Sequence, residues 1–325
     1  MRQVEWFQQP MRYRHLGKSG LYVSTIGLGT NQFGGKVDDK QAAEIVHAAV
    51  DQGVNLIDTA DVYREGRSES FIGEAIKGLR EKVLIATKVR HTVAPRGPND
   101  RGASRHHIIG GVEASLRRLG IQTIDLYQIH AWDDETPIEE TMRALEDLVR
   151  GGKVRYVGAS NFTAWQLAHA NAMADLNKWT AFISIQPHFH LLHRDIEAEL
   201  LPACKYLAIG VLPYFPLAGG FLTGKYRRGQ AAPKGSRGEE SPYVQKYMTD
   251  DNYTVIEKLE AFAKQRSHEL NELAIAWLLA QPQVSSVISG ATKVEQVQAN
   301  VKAGVWELTP EDLHSIAEIL EGKAT

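Results

Sequence analysis

Eight short β-branched runs, each followed by a helix-forming stretch, constrain this chain more than any other feature. They are VSTIGLG from Val23, NLIDTA from Asn55, VLIATKV from Val83, IDLYQIH from Ile124, VRYVGAS from Val154, FISIQPHF from Phe182, AIGVLPYF from Ala208 and VSSVISG from Val284. The runs are almost continuously apolar, as parallel strands covered on both faces must be. Amphipathic patterns predict helices over 40–52, 68–79, 104–119, 138–150, 163–177, 195–205, 252–281 (long enough for two) and 293–303. Strand centres near residues 27, 57, 86, 128, 157, 185, 211 and 287 recur at a near-constant period broken by two long gaps. That rhythm predicts an α/β fold, a (β/α)₈ TIM barrel with enlarged loops over 90–103 and 218–251. Ahead of it, RYRHLGKSGLYVS reads as a β-hairpin with Gly17 and Gly20 at its turn. An extra C-terminal helix is expected over 309–321, residues 1–10 read as an N-terminal extension, and 11–325 as one barrel domain. The rival, an open doubly wound sheet, would carry G-x-G-x-x-G after its first strand. Here Gly27 and Gly29 are followed by Thr30, Asn31 and Gln32, so the fingerprint fails.

Composition narrows the function classes. A chain of 325 residues with 43% hydrophobic and 23% charged residues is neither disordered, collagenous nor coiled coil. Lys and Arg number 37 against 39 Asp and Glu, a formal charge of −2, which gives no electrostatic hold on nucleic acid or an anionic membrane. The single cysteine, Cys204, allows no intrachain disulfide, and the N-terminus lacks the apolar stretch of a secretory signal, so a cytoplasmic location is expected. Residues 206–224 carry no charge, but Pro213, Pro216 and four glycines make them a buried strand running into a loop rather than a membrane span.

In a barrel the active site lies at the C-terminal ends of the strands. Those ends hold Asp58 on the second strand, Lys88 on the third and His130 on the fourth, with Tyr63 five residues beyond Asp58. A lysine on an apolar strand needs a partner, and Asp58 is the obvious one. The Lys88 charge is expected to lower the Tyr63 pKa and make the phenol a usable acid, while His130 donates to a substrate oxygen. A structural ion pair with an unrelated Tyr and His nearby is the plain alternative. Three other chemistries are weaker. The histidines at 188, 190 and 193 put two imidazoles on one strand face, but barrel metal sites of that kind sit on the first strand, which has no histidine here; no metal is expected. Gly219-x₄-Gly224-Lys225 approaches a Walker A loop, but Tyr226 stands where Ser or Thr must hold Mg²⁺. A Schiff-base role for Lys88 needs a neutral amine, which Asp58 opposes.

The strings LIDTADVYREGRSESFIGEAI, IATKV, DLYQIH, YVGASNF, SIQP, PYFPLAGGFLTGKY and SVISGATKVEQVQAN, in that order, resemble the aldo-keto reductase superfamily. Within it they are most similar to bacterial stress-protein and potassium-channel β-subunit branches, from about Met11 to the end of the chain. The resemblance implies NADPH-dependent carbonyl reduction without a Rossmann fold. Tyr63 would be the general acid, Lys88 and Asp58 its tuners, and His130 the group orienting the carbonyl. Ser160, Asn161 and Gln186 resemble the clamp on the nicotinamide carboxamide, and Tyr214 the ring stacked on nicotinamide. Gly29, Thr30, Asn31 and Asp58 would line the cofactor. Phe215, Pro216, Leu217, Ala218 and Gly220, with Lys225, would approach the pyrophosphate. Arg237 resembles an adenine-side arginine, and Gly290 would lie beside the nucleotide. Thr292-Lys-Val-Glu295 reads as a capping box opening the last barrel helix, where Thr292 and Lys293 would receive the 2′-phosphate. Gln296 and Asn300, four apart on one helical face, would reach adenine.

Departures from the family pattern fall at the pocket rim. Asn31 stands where tryptophan is common, Arg64 where glycine follows the catalytic tyrosine, Ala131 where arginine follows the histidine, Phe215 for a serine and His190 for an asparagine. Asn31, Phe33, Trp132, Phe162 and Phe189 are the expected walls for a small carbonyl substrate, with ordinary packing an equal alternative for Phe189. The contrasting reading is a nucleotide-sensing regulatory subunit; the absence of a long N-terminal regulatory segment favours a free enzyme. A homo-oligomer is compatible with the resemblance, since family members range from monomers to rings.

Overall fold

The computed structural model describes residues 11–95 and 97–322. The expected N-terminal extension lies outside the described residues. The chain opens with an antiparallel hairpin, β1 (Tyr13–His15) and β2 (Tyr22–Ser24), and continues into eight parallel strands. These are β3 (Ile26–Gly29), β4 (Leu56–Asp58), β5 (Leu84–Val89), β6 (Ile124–Ile129), β7 (Val154–Ser160), β8 (Ser184–Gln186), β9 (Gly210–Val211) and β10 (Val287–Gly290). Neighbours in sequence are neighbours in the sheet, and β10 pairs with β3. Bridges from Val211 to Val284 and from Tyr214 to Ile288 join the two ends, so the sheet closes on itself. The result is the (β/α)₈ barrel expected from the rhythm of the sequence.

The helices are α1 (Asp39–Asp51), α2 (Arg67–Ala75), α3 (Arg105–Leu119), α4 (Ile138–Arg150), α5 (Ala164–Asn177), α6 (Leu200–Leu207), α7 (Arg237–Glu240), α8 (Pro242–Gln245), α9 (Asp250–Gln265), α10 (Leu270–Leu279), α11 (Val294–Ala303) and α12 (Pro310–Glu321). Their starts follow local chemistry. Asp38 and Gln41 close a capping box on α1, and Thr309 and Asp312 close one on α12, where Pro310 needs no donor. The long pattern over 252–281 divides at Ser267, whose φ of 60° no helix tolerates. The enlarged connection over 218–251 holds a 3₁₀ segment (Ala218–Thr223) and the short helices α7 and α8 before α9 begins.

One expectation fails at α11. Its N-cap is Lys293, not Thr292, and no side chain caps it. The reach-back comes instead from Gln296, whose Oε1 accepts from Thr292 N at 2.7 Å and Thr292 Oγ1 at 3.2 Å. Starting the helix one residue later puts Gln296, rather than Glu295, in the third helical position.

The barrel interior changes character along its axis. Leu56, Ala86, Leu126 and Leu212 form an apolar floor with Ile183 and Ile288, closed from the N-terminal side by Leu16 and Val23 of the hairpin. Gly17 makes that plug possible: its φ is +57°, and a Cβ there would lie 2.6 Å from Ile183 O and 2.7 Å from Ala208 O. Arg14 holds the hairpin to the barrel through Val284 O and Leu279 O. Two residues further along each strand, the same inward face carries Asp58, Lys88, Gln128 and Tyr214. A polar layer therefore rests on an apolar one, at the end where a barrel's loops open.

Candidate active site

Lys88 is the centre of the polar layer. Its side chain is fully buried and donates to Asp58 Oδ2 at 2.7 Å, Asp58 Oδ1 at 2.9 Å and Thr59 O at 2.7 Å. Burial alone would lower its pKa, but the charges and hydrogen bonds of Asp58 and Tyr63 together outweigh it and the net direction is up, so Lys88 stays an ammonium. Asp58 Oδ1 also accepts from Gln186 Nε2 at 2.8 Å and Gln128 Nε2 at 3.4 Å. Its backbone is held by Thr30, whose hydroxyl donates to Asp58 O at 2.8 Å and meets Ser68 Oγ at 3.0 Å.

Tyr63 stands over this pair. Its hydroxyl is 3.5 Å from Lys88 Nζ, and the ammonium is 5.1 Å from its ring centroid. The expected lowering of its pKa is reversed. Burial raises it, with Asp58 and Asp61 in the same sense, and this outweighs the pull of Lys88. The phenol is therefore firmly protonated at neutral pH: a proton donor, not a tyrosinate. His130 meets Tyr63 edge to face at 6.0 Å between centroids, and His91 backs it at 4.8 Å. Burial, then the charges of Lys88, His91 and Arg90, push the His130 pKa down to about 2. A neutral imidazole has one N–H to give, and Nδ1 is buried without a protein partner among the described residues.

Asp58, Tyr63 and His130 line a cleft of about 510 Å³. Asn161 holds its near wall. With φ at 55°, it turns its amide to donate to His130 O and Ser160 Oγ, each at 3.0 Å, and to accept from Tyr214 OH at 3.0 Å. The cleft also brings together Gly29, Thr30, Asn31, Ser160, Gln186, Phe215, Pro216, Leu217, Gly220, Lys225, Arg237, Gly290, Thr292, Gln296 and Asn300. Lys88 lies beneath its floor. Ala218 is buried behind the wall, and Lys293 is exposed outside it. The aromatic residues expected as substrate walls are placed differently. Phe33 is fully buried, and Phe189 packs on Trp277 at 5.1 Å in the outer core. Phe162 and Trp132 meet edge to face at 5.2 Å, and exposed Trp165 meets Trp132 edge to face at 5.4 Å. None of the four lines the cleft.

The cleft also contains residues not anticipated from sequence: Lys36, Ser236, Asn271 and Ser289. Gln128 was equally unforeseen, although it lies two residues before His130 and pairs in register with Lys88. That spacing was the available signal. Tyr226, which breaks the Walker pattern, is buried and accepts from Gly238 N at 2.9 Å, a structural task. The histidine trio stacks with aromatics, and among the described residues no group of three or more His, Cys, Asp or Glu is placed to hold a metal.

A dinucleotide fits this donor set. Gly219 and Gly220 adopt φ of +68° and +101°, and a Cβ on Gly220 would come within 3.0 Å of Lys225 Nζ, so bare backbone faces the cleft beside a cation. Arg237 lies close by, its pKa lowered by burial, and the hydroxyls of Ser236 and Ser289 are buried with no partner among the described residues. Unfilled donors around a Gly-rich turn and the start of α11 suit phosphate and ribose oxygens.

The Aldo/keto reductase family model matches residues 25–321. The chain belongs to that family. This aldo/keto reductase family member is 39% identical to a probable voltage-gated potassium channel subunit beta of Arabidopsis thaliana, over 96% of this chain and 98% of the relative. It is 38% identical to the uncharacterized oxidoreductase YrpG of Bacillus subtilis, over 96% and 97%. It is 32% identical to the versiconal hemiacetal acetate reductase of Aspergillus parasiticus, over 97% and 98%. Family membership and oxidoreductase relatives support an oxidoreductase. Among the described residues no helix is long and apolar enough to cross a membrane.

Beside Lys88 and Tyr63, Asp61 is buried with Oδ1 unpartnered among the described residues, and burial and Glu69 raise its pKa to about 8 against Arg118 and Lys88. A carboxyl raised in the folded state binds its proton more tightly there than in the unfolded chain. Its contribution to stability is therefore full below pH ~4, the unfolded pKa, and is lost as pH rises through about 8. Asp61→Asn is expected to be more stable than the parent at pH 9, the advantage shrinking toward pH 5. Urea melts across that range check the sign.

Proposed function

We propose that this aldo/keto reductase family member reduces small aldehydes and ketones to alcohols with NADPH as cofactor. The observation that carries the reading is a protonated Tyr63 hydroxyl 3.5 Å from a buried, ion-paired Lys88, across from a neutral His130, at the floor of one cleft. Bound NADPH would supply hydride from nicotinamide C4 to the carbonyl carbon. The protein's part is binding, orientation and the proton. His130 would donate to the carbonyl oxygen, and the Tyr63 hydroxyl would protonate it as negative charge develops there. Lys88, held charged by Asp58, would stabilise the tyrosinate left behind, a state that burial otherwise opposes.

Asn161, Ser160 and Gln186 would hold the nicotinamide amide, with Tyr214 against the ring. The 215–220 turn and Lys225 would hold the pyrophosphate; Arg237, Thr292, Lys293, Gln296 and Asn300 would hold the adenosine end. One N–H of Gln186 Nε2 is given to Asp58, which leaves its second N–H and its carbonyl oxygen for the carboxamide. The partner in this reading is a small carbonyl substrate, in the cytoplasm, with neither nucleic acid nor membrane; a homo-oligomer is compatible with it.

A second reading rests on the potassium channel subunit beta among the relatives: an NADP(H)-sensing subunit with little turnover. NADPH fluorescence titration, followed in the same cuvette by a panel of aldehydes and ketones, separates the two. Binding with turnover supports the reductase, binding without turnover the sensor, and no binding removes both.

A further inference from the structure

Tyr214 is fixed on two sides. Its hydroxyl donates to Asn161 Oδ1, and its ring is backed by His188, nearly parallel at 14° and 5.3 Å between centroids. His188 in turn stacks on His193 at 4.0 Å and 26°. His193 is held by reciprocal backbone hydrogen bonds with His190, at 2.8 and 3.2 Å, so the column rests on a tight turn. The Tyr243 hydroxyl, which belongs to α8, lies 3.1 Å from Nδ1 and 3.4 Å from Nε2 of His188, so it sits over the imidazole within reach of both nitrogens. Tyr243 also packs edge to face on Phe215 at 5.0 Å.

Directly before α8, α7 contributes Arg237 to the cleft, and its Glu240 pairs with Lys36 at 2.8 Å. Two separate parts of the cleft wall thus meet on one imidazole. The His188 ring backs the Tyr214 platform, and the Tyr243 hydroxyl of the 237–245 segment rests on the same imidazole. Burial, then the nearby His193 and Lys246, hold the ring uncharged, with a pKa pushed down to about 3, so both contacts persist at neutral pH.

We propose that His188 is a positioning residue that joins the 237–245 segment to the Tyr214 platform, its ring backing the platform and its nitrogens meeting the Tyr243 hydroxyl. The inference rests on the NADPH reading above. Stacking against a ring and a single hydrogen bond of this kind each correspond to a change of about 3–10-fold in a rate or affinity that depends on them.

The test separates the ring from its nitrogens. His188→Phe keeps a ring behind Tyr214 and removes the nitrogen; His188→Asn keeps a hydrogen-bonding group and removes the ring. Stopped-flow NADPH release and single-turnover reduction of a carbonyl that the parent accepts are the two readouts, with circular dichroism and melting temperature as fold controls. His188→Phe should speed NADPH release about fivefold, with the smaller effect on hydride transfer. His188→Asn should slow hydride transfer about fivefold, with the smaller effect on release. Tyr243→Phe should match His188→Phe, and the double variant should be no worse than either single one.

Equal effects of the Phe and Asn variants on both readouts, or additive effects in the Tyr243 pair, overturn the inference while leaving the NADPH reading standing. If the parent binds NADPH without turnover, the reductase reading falls, and equal release rates in all variants then overturn the inference. If the parent does not bind NADPH, both fall together.

Discussion

Tyr63→Phe should leave NADPH binding within a few-fold of the parent and lower carbonyl reduction by about 10²–10⁴-fold, the range set by loss of a positioned general acid. The substitution removes one oxygen. Lys88 keeps its bonds to Asp58 and to Thr59 O, and the ring keeps its edge contact with His130. Stability should therefore change by no more than about 1 kcal/mol. The pH profile gives an independent check. Burial keeps the Tyr63 phenol above its ordinary value, and the His130 imidazole sits at about 2. An acid with a raised pKa remains a donor as pH rises, and a base with a depressed one remains neutral as pH falls. Neither group should impose a titration on the reduction rate between pH 6 and 9. A Tyr63→Phe rate within tenfold of the parent would refute the acid assignment. A clear break near pH 7 in the parent would show that another group controls the proton.

How much of this was legible in the sequence depends on the kind of signal. The barrel was readable because strands covered on both faces are nearly all apolar, and the helices between them carry their own start signals, such as Asp38 and Ser104. Asp58, Lys88 and His130 were readable because charge or imidazole at a strand end breaks that apolar rule. Gln128 breaks it too, but an uncharged amide inside a strand draws less notice. The direction of the Tyr63 shift was not readable, because desolvation depends on how deeply the loop after β4 folds down, and sequence shows only the partner charge. The aromatic walls failed for a related reason. Phe33 and Phe189 are as apolar in a core as in a pocket, so only the pleat and the loop path decide which they line. The capping box at Thr292 does not form, because the helix starts one residue later, uncapped, and Gln296 rather than Glu295 reaches back to Thr292 N. His188 was visible only as a metal candidate. Its stacking on Tyr214 joins two strands whose loops meet in space, through a bridge between residues far apart in sequence.

Lys88→Met should cost about 3–5 kcal/mol of stability as well as activity, and the two losses should separate in a double variant. In the parent the ammonium is fully buried and spends its hydrogen bonds on Asp58 and Thr59 O. Methionine fills similar volume but leaves the Asp58 carboxylate buried with only the amides of Gln186 and Gln128 as side-chain donors. An unpaired buried charge is the expensive outcome; removing both charges is far cheaper. Asp58→Asn combined with Lys88→Met should therefore regain much of the lost stability in thermal or urea melts. It should not regain turnover, since nothing would then stabilise negative charge on the Tyr63 oxygen as its proton leaves. This pair of results decides between the two readings of the buried ion pair. If activity returned with stability in the double variant, Lys88 and Asp58 would be a structural pair beside the reaction. Recovery of the fold without recovery of rate would make Lys88 the charge against which Tyr63 works.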